Sequence, residues 1–240
     1  MLYNKHIPPA PSGAGREAVH NRLCFFNSTG ENVKTIVYVD GFNLHYGAVK
    51  GTPYKWLDIL RLCMLLLPKN EIVKIKYFTA LVTARPSDPD QPNRQLLYLR
   101  ALQTIPGLEV IYGHFLEHEI MMPVASPPPG GPKYVRIIKT EEKGSDVNIA
   151  AHMINDGHNG RYQVAVIVSN DSDLVEPVKI VRQELILPVG ILNPILDHPS
   201  HELRKYATFV KPIRKGVLSV SQFPPQLKDS RGKFYKPPAW

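Results

Sequence analysis

The run Thr35-Ile36-Val37-Tyr38-Val39 is β-branched or aromatic at every position and stops at Asp40-Gly41. A strand with no polar alternation has no face to leave in water, so it belongs in the middle of a sheet covered on both sides. Such a sheet needs helices, and the following sequence supplies them. Trp56, Ile59, Leu60, Cys63, Leu66 and Leu67 recur at helical spacing and are closed by Pro68, which predicts a helix over 56–67. Further strands are predicted over 72–81, 108–115, 134–138, 164–168 and 186–190, with helices over 92–104, 145–155 and 174–182. This alternation predicts an α/β fold, a mostly parallel central sheet with helices on both faces.

In an open parallel sheet, ligands bind beyond the carboxyl ends of the strands. Asp40 terminates the first strand, Asp171 and Asp173 lie just past the strand at 164–168, and Asp146 sits in the first turn of the helix at 145–155. Each has an ordinary explanation when taken alone. Asp40 before Gly41 suits a turn, Asp146 complements a helix dipole, and Asp171 or Asp173 suits a helix N-cap. Gathered in one crevice, however, the carboxylates repel one another and raise each other's pKa unless a cation neutralises them. Mg2+ or Mn2+ suits such oxygen donors, because these ions are held by a few carboxylates together with waters and substrate phosphates. An ion of this kind can acidify a bound water and stabilise a leaving oxygen in phosphodiester hydrolysis.

Other chemistries fit less well. An aspartyl phosphatase of the haloacid-dehalogenase type needs a second aspartate two residues after the first, where this chain has Phe42. Asp40-Gly41-Phe42-Asn43-Leu44-His45 offers one glycine where a dinucleotide fingerprint needs three, and the nine histidines form no HExxH motif. Cys24 and Cys63 make neither a disulfide framework nor a zinc pattern and read as reduced, structural thiols. No apolar run approaches the roughly 20 residues of a membrane span, and no secretory signal is evident, so a cytosolic protein with no membrane partner is expected.

Three segments carry a named resemblance: Val39-Asp40-Gly41-Phe42-Asn43-Leu44, Glu142-Lys143-Gly144-Ser145-Asp146-Val147 and Val168-Ser169-Asn170-Asp171-Ser172-Asp173-Leu174. In order and spacing they resemble the motifs of the NYN domain family, a branch of the PIN-like nucleases, over residues 34–210. The resemblance implies a PIN-like three-layer α/β/α fold and divalent-metal-dependent cleavage of RNA. It puts Asp40, Asp146, Asp171 and Asp173 in the acidic, metal-holding positions, with Asn43 and Ser169 at polar positions beside them. Asn43 would orient Asp40 or a metal-bound water, and Ser169 would hydrogen-bond a carboxylate or phosphate. Turn capping is the plainer role for both. Asn170 stands where a small residue such as glycine is common. The rival reading is a nucleic-acid-binding or regulatory module that keeps the fold with little catalysis, against which the four intact aspartates argue.

The formal charge of +8 is uneven: residues 1–33 and 34–210 each carry +1, and residues 211–240 carry +6. Residues 1–33 read as a loosely held extension, and the proline-rich segment at 121–133 as an exposed loop or hairpin tip. The basic segment 211–240 contains Pro212, Pro224, Pro225, Pro237 and Pro238 and is expected to be extended. There Lys228, Arg231, Lys233 and Lys236 would grip phosphates while Phe223, Phe234, Tyr235 and Trp240 stack on unpaired bases. A solvated extension that keeps the protein soluble is the plainer reading of the same segment. RNA is the partner that the resemblance implies, single-stranded where these rings stack on its bases, with DNA as the alternative and an oligomer left open.

Overall fold

A computed structural model describes residues 32–240. The extension expected at 1–33 therefore falls, through residue 31, outside the described residues, as does Cys24. At the centre is a six-stranded sheet, parallel throughout, in the order β3-β2-β1-β6-β7-β8. Its strands are β1 (Val33–Asp40), β2 (Asn70–Thr79), β3 (Leu108–Tyr112), β6 (Val164–Val168), β7 (Val189–Asn193) and β8 (Phe209–Pro212). The expected α/β architecture is borne out.

β1 occupies the middle because it can be buried on both sides. Val37 and Val39 join a core with Trp56, Leu62 and Leu102, whereas Ile36 and Tyr38 join another with Ile149, Met153 and Val178. The first core is covered by α2 (Ile59–Leu66) and α3 (Gln91–Leu102), and the second by α4 (Ser145–His158) and α5 (Val175–Lys179). α2 begins later than its apolar spacing predicts, because Asp58 caps it by accepting the Arg61 N–H at 3.0 Å. Cys63 lies within this core, where burial pushes its thiol up to about 12 and keeps it inert.

The second face holds a buried polar network. Asp156 accepts hydrogen bonds from Lys76 Nζ at 2.5 Å, Tyr38 Oη at 2.8 Å and Arg161 at 2.9 Å. Burial pushes its carboxyl up, but these donors outweigh it and hold the carboxyl below its usual range. Removing one partner of such a pair typically costs about 3–5 kcal/mol.

Three local expectations change. The strand expected at 108–115 stops at Tyr112, and a separate hairpin begins: β4 (His114–Pro123) pairs antiparallel with β5 (Tyr134–Lys143). Gly113 makes this exit, where any Cβ would come within 2.5 Å of the Lys143 carbonyl oxygen. The proline-rich segment forms the tip of that hairpin, as its composition requires. The helix expected at 174–182 is instead a 3-10 turn (Ser172–Leu174), α5 and a wider turn at Ile180–Glu184. The strand expected at 186–190 is displaced to Val189–Asn193, after Ile186 takes a positive φ of 55°.

The largest correction concerns 211–240, which is folded rather than extended. α6 (His201–Tyr206) leads into β8, then follow α7 (Lys215–Val220) and the hairpin β9 (Gln226–Asp229) and β10 (Gly232–Tyr235). Phe223 and Phe234 are buried against Trp56, whose ring also meets Trp240 at 6.2 Å. Arg100 clamps the hairpin with two hydrogen bonds to Asp229, at 2.7 and 2.8 Å. The apolar payload of three aromatic rings exceeds what the prolines oppose, and it takes Phe223 and Phe234 out of reach of any base. Among the described residues no helix is long and apolar enough to cross a membrane.

Candidate active site

Strand order reverses between β1 and β6, with β2 following β1 to one side and β7 following β6 to the other. Such a switch point opens a crevice at the carboxyl ends of the two strands. Asp40 and Ser169 line it because they directly end β1 and β6.

Asp40 is 5% exposed, and both its oxygens are used. Oδ1 accepts the Asn43 N–H at 2.9 Å, capping the short helix α1 (Gly41–Leu44), and Oδ2 accepts from Ser169 Oγ at 3.2 Å. Ser169 Oγ in turn accepts the Asp171 N–H at 3.1 Å, and Asp171 Oδ1 accepts the Asp173 N–H at 3.0 Å. Asn43 Oδ1 accepts the Asn170 N–H at 2.9 Å, so the β1 and β6 turns are laced from both sides. Asp40 and Asp171 are therefore turn-capping residues, and capping fixes their carboxylates at the crevice. The close fit needs Gly41, since a Cβ there would meet the Phe78 carbonyl oxygen and the Tyr77 ring at 2.7 Å.

Asp146 arrives from the first turn of α4, partly exposed and opposite this network. Burial pushes its carboxyl up to about 6, and Asp40, Asp171, Glu142 and Asp173 push in the same direction. Asp40 is also pushed up to about 6, chiefly by burial, with Asp171 and Glu142 adding to it and the Asn43 and Ser169 hydrogen bonds opposing. Among the described residues, no lysine or arginine forms a salt bridge with either acid. The structure thus brings Asp40, Asn43, Ser169, Asp171 and Asp173 into one hydrogen-bonded chain, with Asp146 coupled to it by charge. Among the described residues, no three His, Cys, Asp or Glu side chains stand close enough to wrap a metal ion by themselves.

Glu142 is a further acid that the sequence reading did not single out. It lies one residue before the end of β5, opposite Phe115, and Phe115 packs on Phe42 with ring centroids 5.6 Å apart, which anchors the hairpin's root beside Asp40. Glu142 Oε1 also accepts from Ser145 Oγ at 2.9 Å, caging the start of α4. The available signal was its position three residues before Ser145, from which Oε1 accepts both the Ser145 hydroxyl and, at 3.3 Å, its N–H.

A six-stranded parallel sheet with an acidic crevice at its switch point is an α/β architecture consistent with the PIN-like fold. The NYN domain family matches residues 34–213. The chain belongs to that family, within the PIN-like nucleases. A Pseudomonas putida protein named 6-hydroxy-3-succinoylpyridine 3-monooxygenase HspA is 31% identical over 238 residues, covering 88% of this chain and 76% of that protein. A solved structure from Vibrio parahaemolyticus, of a protein of unknown function, is 19% identical with a TM-score of 0.51, covering 77% of this chain and 94% of that one. The latter likeness is one of fold.

Proposed function

We propose that the chain hydrolyses phosphodiester bonds in RNA, using Mg2+ or Mn2+ held among Asp40, Asp146, Asp171 and Asp173. The observation that carries this reading is clustered acidity: two carboxyls pushed up to about 6 by burial and by neighbouring carboxylates, with no salt bridge to either among the described residues. A donor set made only of hard oxygens suits these ions. Among the described residues no three acids close on one ion by themselves, and Mg2+ keeps several waters and takes one or two carboxylates plus substrate phosphates. When bound, the ion would supply an acidified water and charge stabilisation at phosphorus.

The chain's own residues do the rest. Ser169 and the Asn43 amide hold Asp40 in a single orientation, and Asp171 is aimed by the turn it caps. Asp146, pushed up by burial and by the neighbouring acids, is a carboxyl whose charged form a bound cation would favour. RNA is preferred to DNA on family membership. Incubating the full chain with end-labelled RNA and DNA, in Mg2+, Mn2+ or EDTA, tests this. RNA cleavage that requires metal is expected. EDTA-resistant cleavage contradicts it, and tight RNA binding without any cleavage favours a binding module instead.

The Pseudomonas relative supplies a second reading, oxidation of a hydroxypyridine, favoured by 31% identity over 238 residues. The turn after β1 carries one glycine, Gly41, where a dinucleotide cofactor would want three. Oxygen uptake dependent on both NADH and 6-hydroxy-3-succinoylpyridine would favour that reading over hydrolysis.

A further inference from the structure

A cavity of about 230 Å3 opens beside the acidic crevice, at the carboxyl ends of β7 and β8. Ile191, Leu196, Leu203 and Val210 form its apolar walls, and Asn193 and Arg204 are among its polar groups. A void of about 150 Å3 holds benzene, whereas pockets for larger ligands begin near about 300 Å3. Size therefore selects one ring system with apolar faces.

The polar groups define what that ring must carry. Asn193 Oδ1 accepts the Ile195 N–H at 2.8 Å, which fixes the amide and leaves Nδ2 with no partner among the described residues. Arg204 is exposed, and its guanidinium is likewise unpaired among them. Asn193 as a whole is only 5% exposed, and its unpartnered amide donor asks for a ring oxygen or nitrogen, as the guanidinium does for a phosphate or carboxylate.

Asn170 joins this cavity to the acids. Its backbone N–H is held by Asn43 and its neighbour is Asp171, while its side chain donates to the His198 carbonyl at 2.9 Å and accepts the Ser200 N–H at 2.7 Å. A glycine could make neither side-chain contact, so Asn170 fixes a wall of the cavity to the catalytic turn.

We infer that the cavity is a subsite for one planar N-heteroaromatic ring bearing an anionic group: the base of a nucleotide next to the scissile phosphate. Assigning the ring to RNA rests on the nuclease reading; the ring site itself does not. Asn193 donates to the base edge, the apolar walls cover its faces, and Arg204 takes an adjoining phosphate.

The test is methyl NMR of the full chain, titrated separately with the four nucleoside 5′-monophosphates and with 6-hydroxy-3-succinoylpyridine. At least one nucleotide is expected to shift the methyls of Ile191, Leu196, Leu203 and Val210 to saturation while those of Leu62 stay put. Asn193→Asp keeps the acceptor for Ile195 but removes the donor, and should weaken that nucleotide about tenfold, the order of one lost hydrogen bond. Silent cavity methyls with every ring, or equal affinity in Asn193→Asp, overturn the subsite. Saturation by the hydroxypyridine alone overturns its assignment to a nucleobase. Because binding is read without turnover, metal-dependent RNA cleavage with a silent cavity sinks only the subsite. Nucleotide binding here in a chain that cuts no RNA sinks only the nuclease reading.

Discussion

Ser169 Oγ donates to Asp40 Oδ2 at 3.2 Å, joining the ends of the two strands that flank the switch point of the sheet. The same oxygen accepts the Asp171 N–H at 3.1 Å, so one buried hydroxyl sets both acids. A hydrogen bond to the ionised form is also what restrains the rise of the Asp40 carboxyl.

Ser169→Ala leaves an unfilled acceptor on Asp40 and an unpaired N–H at Asp171. Stability should fall by about 1–2 kcal/mol in urea denaturation. The pH–rate profile of cleavage should move to higher pH, because Asp40 loses a group that favours its charged form. A profile that stays in place would show that Ser169 does not tune Asp40.

The raised carboxyl of Asp40 gives a stability prediction of definite sign. Its folded value of about 6 lies above the ordinary 3.8, so the native state holds the proton more tightly than the unfolded chain. Stability contributed by this group is present at low pH and is lost as pH rises from near 4 through 6, by about 3 kcal/mol for a two-unit shift. Asp146 acts in the same direction. Thermal melts in EDTA should show this decline, and Asp40→Asn should flatten it. Adding Mn2+ at pH 7 should raise the melting temperature of the wild type and not of the variant.

Lys228 and Lys233 face each other across β9 and β10 on the exposed side, next to exposed Tyr235. Like charges directly opposite in a ladder are destabilising without an anion to bridge them. Replacing both lysines with Gln should leave the fold intact, weaken single-stranded RNA binding and reduce the salt slope by about 0.7 per lost phosphate contact. An unchanged slope would remove this hairpin from the RNA surface. Deleting 211–240, by contrast, should unfold the chain, since it strips Phe223 and Phe234 from the Trp56 core.

Much of this architecture was legible in the sequence, because strong local signals agreed with the tertiary outcome. The unbroken apolar run Ile36–Val39 can only be a central strand, and its abrupt end at Asp40 locates the crevice. Asn43, Ser169, Asp171 and Asp173 were legible as turn residues, and turns are what the structure uses to aim them. What was hidden depends on contacts distant in sequence. The C-terminal segment looked extended from its prolines, yet its aromatic rings pair with Trp56 more than 160 residues away, through Trp56 Nε1 donating to the Pro224 carbonyl at 3.0 Å among other contacts. Glu142 was obscured in the same way, because its approach to the acids follows from a ten-pair hairpin whose register no local pattern reveals. The weak, four-residue strand β8 has little periodicity to read and is defined by its pairing to β7.

The most direct test is cleavage of labelled single-stranded RNA in Mn2+ by the wild-type chain and Asp171→Asn, measured side by side under single-turnover conditions. Asp171→Asn preserves the side-chain oxygen that caps the Asp173 turn and removes one negative charge from the crevice. Metal-dependent cleavage by the wild type should fall at least about a hundredfold in the variant, beyond the range typical of outer-shell changes at metal sites, with the melting temperature unchanged or slightly raised. Equal rates for the two proteins would contradict the assignment of the chemistry to these aspartates.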